Sequence, residues 1–212
     1  MQELWREFIV ELKATEWLQW LAVAFAVAEV LLAKANKILL YPAGIISSLL
    51  FIFLFVEAGL YAESGLNLYY LVMSIYGWAY WTRKKGEPPV PVTHTNKKEK
   101  LIATGIVLGG TLLIWLLIPL FAKSFNLPAS TVPLWDAWVT ATAWSGMWLL
   151  ARRKIENWIL LNISNAFAVP LLFHKHLPLS ALLTVFLFII AVLGFIEWKK
   201  IIRQNATSAS LN

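Results

Sequence analysis

The chain has 212 residues, of which 59% are hydrophobic and 14% charged, with a mean hydropathy of +0.67. Soluble domains carry about 25% charged residues, so a soluble enzyme, a nucleic-acid-binding module and a disordered scaffold are excluded, and an integral membrane protein is expected. The formal net charge of +6 fits basic loop flanks better than nucleic-acid contact, and the absence of cysteine excludes disulfides and thiolate chemistry.

Residues 1–15 set Leu4, Trp5, Phe8, Ile9 and Leu12 against Glu3, Glu7 and Glu11, the pattern of a short interfacial helix. They hold no basic stretch followed by an apolar core, so no cleaved signal peptide is expected. A membrane domain is expected over 16–203. Its seven apolar runs are Trp17–Ala35, Leu39–Gly59, Asn67–Thr82, Leu101–Ala122, Val132–Ala151, Trp158–Phe173 and Leu179–Trp198. About 20 residues of helix cross the ~30 Å hydrocarbon core. The proline-bearing stretch Arg83–Lys100 reads as a polar connector, and 204–212 as a polar tail.

Basic residues set the orientation. Lys34, Lys37, Arg83, Lys84, Lys85, Lys97, Lys98, Lys100, Arg152, Arg153, Lys154, Lys199, Lys200 and Arg203 fall on one side, and Arg6, Lys13, Lys123 and Lys175 on the other. The positive-inside rule then places the C-terminus in the cytoplasm and the N-terminus outside.

The two ends of the domain resemble each other. Leu31–Lys34 matches Leu149–Arg152, Asn36–Leu40 matches Asn157–Leu161, and Gly77–Lys84 loosely matches Gly194–Lys200, at offsets of 118, 121 and 117. The expected fold is all-α, with seven transmembrane helices as a 3+1+3 parallel repeat. Repeat one covers about 17–82, a linker helix about 101–122 and repeat two about 132–198. SWEET-type transporters use this plan, with a site between the bundles near the midplane.

Polar residues within spans are candidates for that site. Trp158, Asn162 and Asn165 share one helical face by their spacing, as do Asn67, Tyr70, Ser74, Trp78 and Trp81. Two amides and an indole suit a small aromatic solute with polar substituents. The plainer reading is that Asn and Ser join helices. Trp17, Trp81 and Trp198 read as interfacial-belt residues. Glu29 and Asp136 are the acids at membrane depth, which is thin support for ion coupling. No phosphate-binding loop, Ser-His-Asp set or H-E-x-x-H motif occurs, and His174 with His176 is weak metal bait. No enzyme activity, cofactor or metal is expected.

Three segments carry a family resemblance: Tyr41–Ser48 (YPAGIISS), Tyr70–Trp78 (YLVMSIYGW) and Ala151–Trp158 (ARRKIENW). On these the chain, from about Trp17 to Arg203, resembles the PnuC family of bacterial nicotinamide riboside transporters. The resemblance implies facilitated diffusion of an unphosphorylated vitamin precursor across the bacterial inner membrane, trapped by a cytoplasmic kinase. Related members resemble thiamine carriers (PnuT). The family pattern in the sixth span resembles W-x-x-x-aromatic-x-x-N. Trp158 and Asn165 match it, Asn162 stands where an aromatic is expected, and Tyr41 stands where a tryptophan is usual. The site is expected between spans two, three, five and six. Trp158 would stack on the ring, and Asn162, Asn165 and Asn67 would bind its polar edge. Trp148, Tyr70 and Trp78 would wall the cavity, with Tyr41 and Ser74 beside them. The expected partners are the solute, the lipid bilayer and the kinase, with a homo-oligomer left open and no nucleic acid. A non-transporting membrane subunit and an intramembrane enzyme are the alternatives of another class.

Overall fold

The structure is a computed structural model that describes residues 6, 8–10, 12–13, 15–57, 61–82, 90–124 and 130–210. Among the described residues seven long helices follow one another: α1 Trp17–Lys34, α2 Leu40–Glu57, α3 Tyr61–Trp81, α4 Lys97–Ser124, α5 Pro133–Ala151, α6 Asn157–His174 and α7 Pro178–Ser210. Within residues 1–15 the described positions 6, 8–10 and 12–13 are helical, and Glu3, Leu4, Trp5, Glu7 and Glu11 of the expected interfacial helix lie outside the described residues. Local chemistry sets several starts. Glu16 and Gln19 form a capping box on α1. Asn96 and Glu99 form another on α4, each side chain accepting the other's backbone N–H at 2.9 Å. Pro133 occupies the first turn of α5, where a missing N–H is harmless. The prolines Pro88 and Pro89 of the connector lie outside the described residues.

Four helices, α1, α2, α4 and α7, are long and apolar enough to cross a membrane. Outward faces carry large apolar side chains such as Leu101, Leu108 and Phe53. The buried set includes Ser47, Ser48, Ser74, Thr142, Ser145, Asn157 and Ser164. That inversion of a soluble protein's pattern is what lipid imposes, because a polar group facing hydrocarbon lacks a partner.

The helices pack in sequence around a closed ring: α1 on α2, α2 on α3, α3 on α5, α5 on α6, α6 on α7, and α7 back on α1. Helix α4 stands outside the ring against α5.

Matching contacts recur 117 residues apart around this ring. Ser47 donates its hydroxyl to Ala22 O (3.0 Å), and Ser164 donates to Val139 O (2.8 Å). Tyr41 meets Trp81 edge-on at 5.1 Å, and Trp158 meets Trp198 edge-on at 5.7 Å. Each ring also lies over a glycine, Gly77 and Gly194 respectively, where a Cβ would approach it to 2.3 and 2.6 Å. The varied offsets read from the sequence are corrected to this one. Aligning Asn36 with Asn157 slides the register by about one helical turn.

Two further expectations change. Trp81 and Trp198 are buried, not interfacial. Trp81 Nε1 donates to Ala151 O (3.1 Å) and Trp198 Nε1 to Ala33 O (3.0 Å), and their rings lie 6.3 Å apart. Trp17 is exposed. The polar stretch after Arg203 continues α7 to Ser210, because it holds no glycine or proline to end the helix.

Candidate substrate site

Helix α1 turns Ala22, Glu29 and Ala33 to one face, since positions seven and eleven apart nearly coincide on a helix. Ala22 and Ala33 are buried and Glu29 partly so. That face meets α2 at Gly44, where a Cβ would lie 2.4 Å from Glu29 Oε1 and 2.9 Å from Ser74 Oγ. A carboxylate, a hydroxyl and a bare stretch of backbone therefore converge from three successive helices. Ser74 is 1% exposed and Tyr41 2% exposed, and neither hydroxyl has a hydrogen-bond partner among the described residues. Buried polar atoms of that kind call for a specific explanation. Tyr70, one turn before Ser74, is partly buried on the same side of α3.

The facing half is built differently. Leu161 packs against Gly146, where a Cβ would meet its Cδ2 and Cγ at 2.9 Å. Leu161 and Gly146 lie 117 residues beyond Gly44 and Glu29, so large and small exchange helices and carboxylate becomes methyl. Leu161 and Ser164 reach α5, whereas Trp158 and Asn162 reach α7. At 100° per residue Asn165 falls between these directions and faces the ring interior.

The other expected residues divide. Trp158 is fully buried against Gly194 and Trp198. With its amide turned so that donor meets acceptor, Asn162 spans the α7 backbone, Nδ2 donating to Phe188 O (3.0 Å) and Oδ1 accepting from Val192 N–H (3.3 Å). Both edge a groove between α6 and α7 that is otherwise lined by apolar residues, including the exposed Ile159, Phe188 and Ile196. Trp148 lies beneath the Arg152 guanidinium, 5.8 Å from ring centroid to Cζ. Asn67 is partly buried and Trp78 exposed.

A polar network closes the basic end. Arg153 donates from Nε (3.2 Å) and Nη2 (2.8 Å) to Asn36 Oδ1 and from Nη1 to Val90 O, and lies 4.0 Å over the Trp81 ring. Burial lowers this guanidinium from its ordinary value, yet an arginine starts high enough to stay charged. The connector pairs with the α5–α6 turn at Thr93 and Lys154. Glu156 accepts from Thr95 N–H (2.9 Å) and contacts His94 Nδ1 (2.9 Å). Glu99, ahead of the apolar run of α4, pairs with Lys154 (3.1 Å) and Arg152 (3.3 Å). Burial raises its carboxyl, but the Asn96 N–H and the two cations outweigh that and hold it below the usual range. At the opposite end Asp136 pairs with Lys175 and accepts from Ser130 Oγ.

Sequence reasoning noted Glu29 as an acid at depth but left it outside the site. Its common face with two small residues, Ala22 and Ala33, was the available signal. It missed the Asn36–Arg153 and Glu99 contacts, which join segments distant in the chain.

A ring of helices, apolar outside and polar within, defines a multi-pass membrane transporter. Residues 16–200 match the family described as nicotinamide mononucleotide transporter, and the chain belongs to that family, whose members are transporters and not enzymes. The chain is 25% identical to the nicotinamide riboside transporter PnuC of Escherichia coli K12 over 216 residues, covering 91% of this chain and 90% of that one. The Shigella flexneri PnuC matches equally. The fold is similar to the crystal structure of the vitamin B3 transporter PnuC, with a TM-score of 0.66, 22% identity, and coverage of 96% and 89%.

Proposed function

We propose that this chain carries nicotinamide riboside by facilitated diffusion across the bacterial inner membrane. Seven spans serve, α1–α3 and α5–α7 as two parallel repeats and α4 as the linker that restores their common orientation. The positive-inside rule puts the basic end in the cytoplasm and the N-terminus outside. A cytoplasmic kinase traps the solute.

The observation that carries the reading is the convergence of Gly44, Ser74 and Glu29; helical spacing turns Asn165 toward it from across the ring. The names of the two bacterial relatives, similar over nearly their whole length, support the solute. In this reading Asn165, Ser74 and Tyr70 contact the solute and Gly44 lets its ring approach the α2 backbone. Tyr41, Trp158 and Trp148 wall the basic end. Asn67, Asn162 and Trp78 hold the surrounding helices. Thiamine is the second solute to test, but Asn162, the residue that suggests it, is tied to α7.

The test is calorimetric titration of the purified chain with nicotinamide riboside, thiamine and riboflavin. Saturable binding of the first alone is expected. Binding of thiamine alone would replace the solute while keeping the mechanism. No binding of any would overturn the reading.

A further inference from the structure

We propose that Glu29 selects for positive charge in the carried solute, acting as counter-ion to a cationic heteroaromatic ring. This deepens the reading above and rests on it, because the pyridinium of nicotinamide riboside is such a ring.

The first ground is position. Glu29 lies on the α1 face that carries the buried Ala22 and Ala33, and its Oε1 stands over Gly44 beside Ser74. It points between helices rather than along the lipid surface. Ser74 Oγ borders the same place and Tyr41 Oη lies one turn along α3, against Gly77; both are buried without partners among the described residues.

The second ground is charge. Among the described residues no lysine, arginine or histidine pairs with Glu29. The titratable groups facing it are Tyr41 on α2 and Tyr70 on α3, and neither supplies a cation. Arg153 lies beyond Tyr41 and is committed to Asn36, Val90 O and the Trp81 ring. A carboxylate inside a membrane protein is costly unless a positive group meets it.

The third ground comes from the opposite half of the ring. There the matching positions hold Gly146, Leu161 and Ala191, so no polar side chain stands at the equivalent point. Helix packing in this architecture therefore does not require the acid. Its presence on one side only gives the interior one wall with a carboxylate and one without.

The probe is a solute pair differing in ring charge, nicotinamide riboside and its neutral 1,4-dihydro form, which keeps the ribose and carboxamide. Both are titrated against the purified full chain, against Glu29→Gln, which keeps size and shape, and against Glu29→Asp, which keeps the charge but withdraws it. The wild type should prefer the cation by about tenfold or more, as expected of an opposed charge in a poorly screened site. Glu29→Gln should lose that preference while binding the neutral form unchanged, and Glu29→Asp should fall between. Equal wild-type affinity for both forms overturns the proposal whatever the variants do. So does a Glu29→Gln variant that keeps the wild-type preference or weakens both forms equally. A wild type that binds neither form removes the nicotinamide riboside reading, and this inference with it.

Discussion

Asn36 and Arg153 stand 117 residues apart, hold the same left-handed backbone, φ 54° and 56°, and hydrogen-bond to each other. Each lies in the turn between two helices, two residues past the end of α1 and of α5. Asparagine tolerates that backbone readily and arginine does not. The strain at Arg153 is held by the contacts its guanidinium makes, so the residue ties the two turns and the connector together at one point.

Arg153→Ala should therefore destabilise the folded chain by about 2–5 kcal/mol, because Asn36 Oδ1 and Val90 O lose their donor and Trp81 its cation. Thermal unfolding in detergent measures this. Arg153→Lys should recover only part of it, since an ammonium cannot fork to both acceptors. A wild-type melting temperature for Arg153→Ala would remove the residue from this role.

Trp81→Phe and Trp198→Phe each delete one hydrogen bond between the two halves, at about 1–2 kcal/mol apiece. The two indoles touch, so the double variant should depart from additivity by more than about 0.5 kcal/mol. Strict additivity in unfolding experiments would show that the two bonds act independently.

Glycine substitutions separate packing from helix propensity. Gly77→Ala and Gly194→Ala drive a methyl into the Tyr41 and Trp158 rings and should destabilise by about 1–3 kcal/mol. Gly65 and Gly105 have nothing within 4 Å of a Cβ, so alanine there should be neutral or stabilise by up to about 1 kcal/mol. Equal melting temperatures across the four would contradict the contacts.

Asn165→Ala should lower nicotinamide riboside uptake at least about tenfold through the lost polar contact, with expression and melting temperature unchanged. Asn162→Ala should do the reverse, lowering stability more than affinity, because its amide is spent on the α7 backbone. Paired uptake and unfolding measurements decide between the two roles.

Acid should loosen the basic end. The Glu99 carboxyl lies below its ordinary value of 4.5 in the folded chain, so near pH 4 the unfolded chain binds more protons than the folded one. Its contribution to stability is complete above 4.5 and declines as pH falls through the lower folded value. Glu99→Gln should flatten that part of the profile, as unfolding across pH 3–6 would reveal.

Hydropathy and basic loop flanks placed the helices to within a few residues, except at α3, which begins at Tyr61 rather than Asn67, and at α7, which runs past Arg203. Both extensions run through polar and small residues, which apolar runs do not register. The register between the halves was harder to read. It depends on which ring lies over which glycine, Tyr41 over Gly77 and Trp158 over Gly194, and a tyrosine matched to a tryptophan leaves no identity in the sequence. The candidate site was half legible for the same reason. Spacing put Asn162 and Asn165 on one face, but a face spans two neighbours, and only the direction of α7 separates the amide that grips backbone from the amide turned inward.

The crossed indoles have a consequence for how such a chain is assembled. Each tryptophan gives its hydrogen to a helix end that belongs to the other half of the chain. Reciprocal exchange of one donor for one acceptor is the geometry by which two identical subunits meet about a two-fold axis. The seam is thus a homodimer interface enclosed within a single polypeptide, and either half expressed alone would leave a buried indole and a carbonyl that only a second half can satisfy.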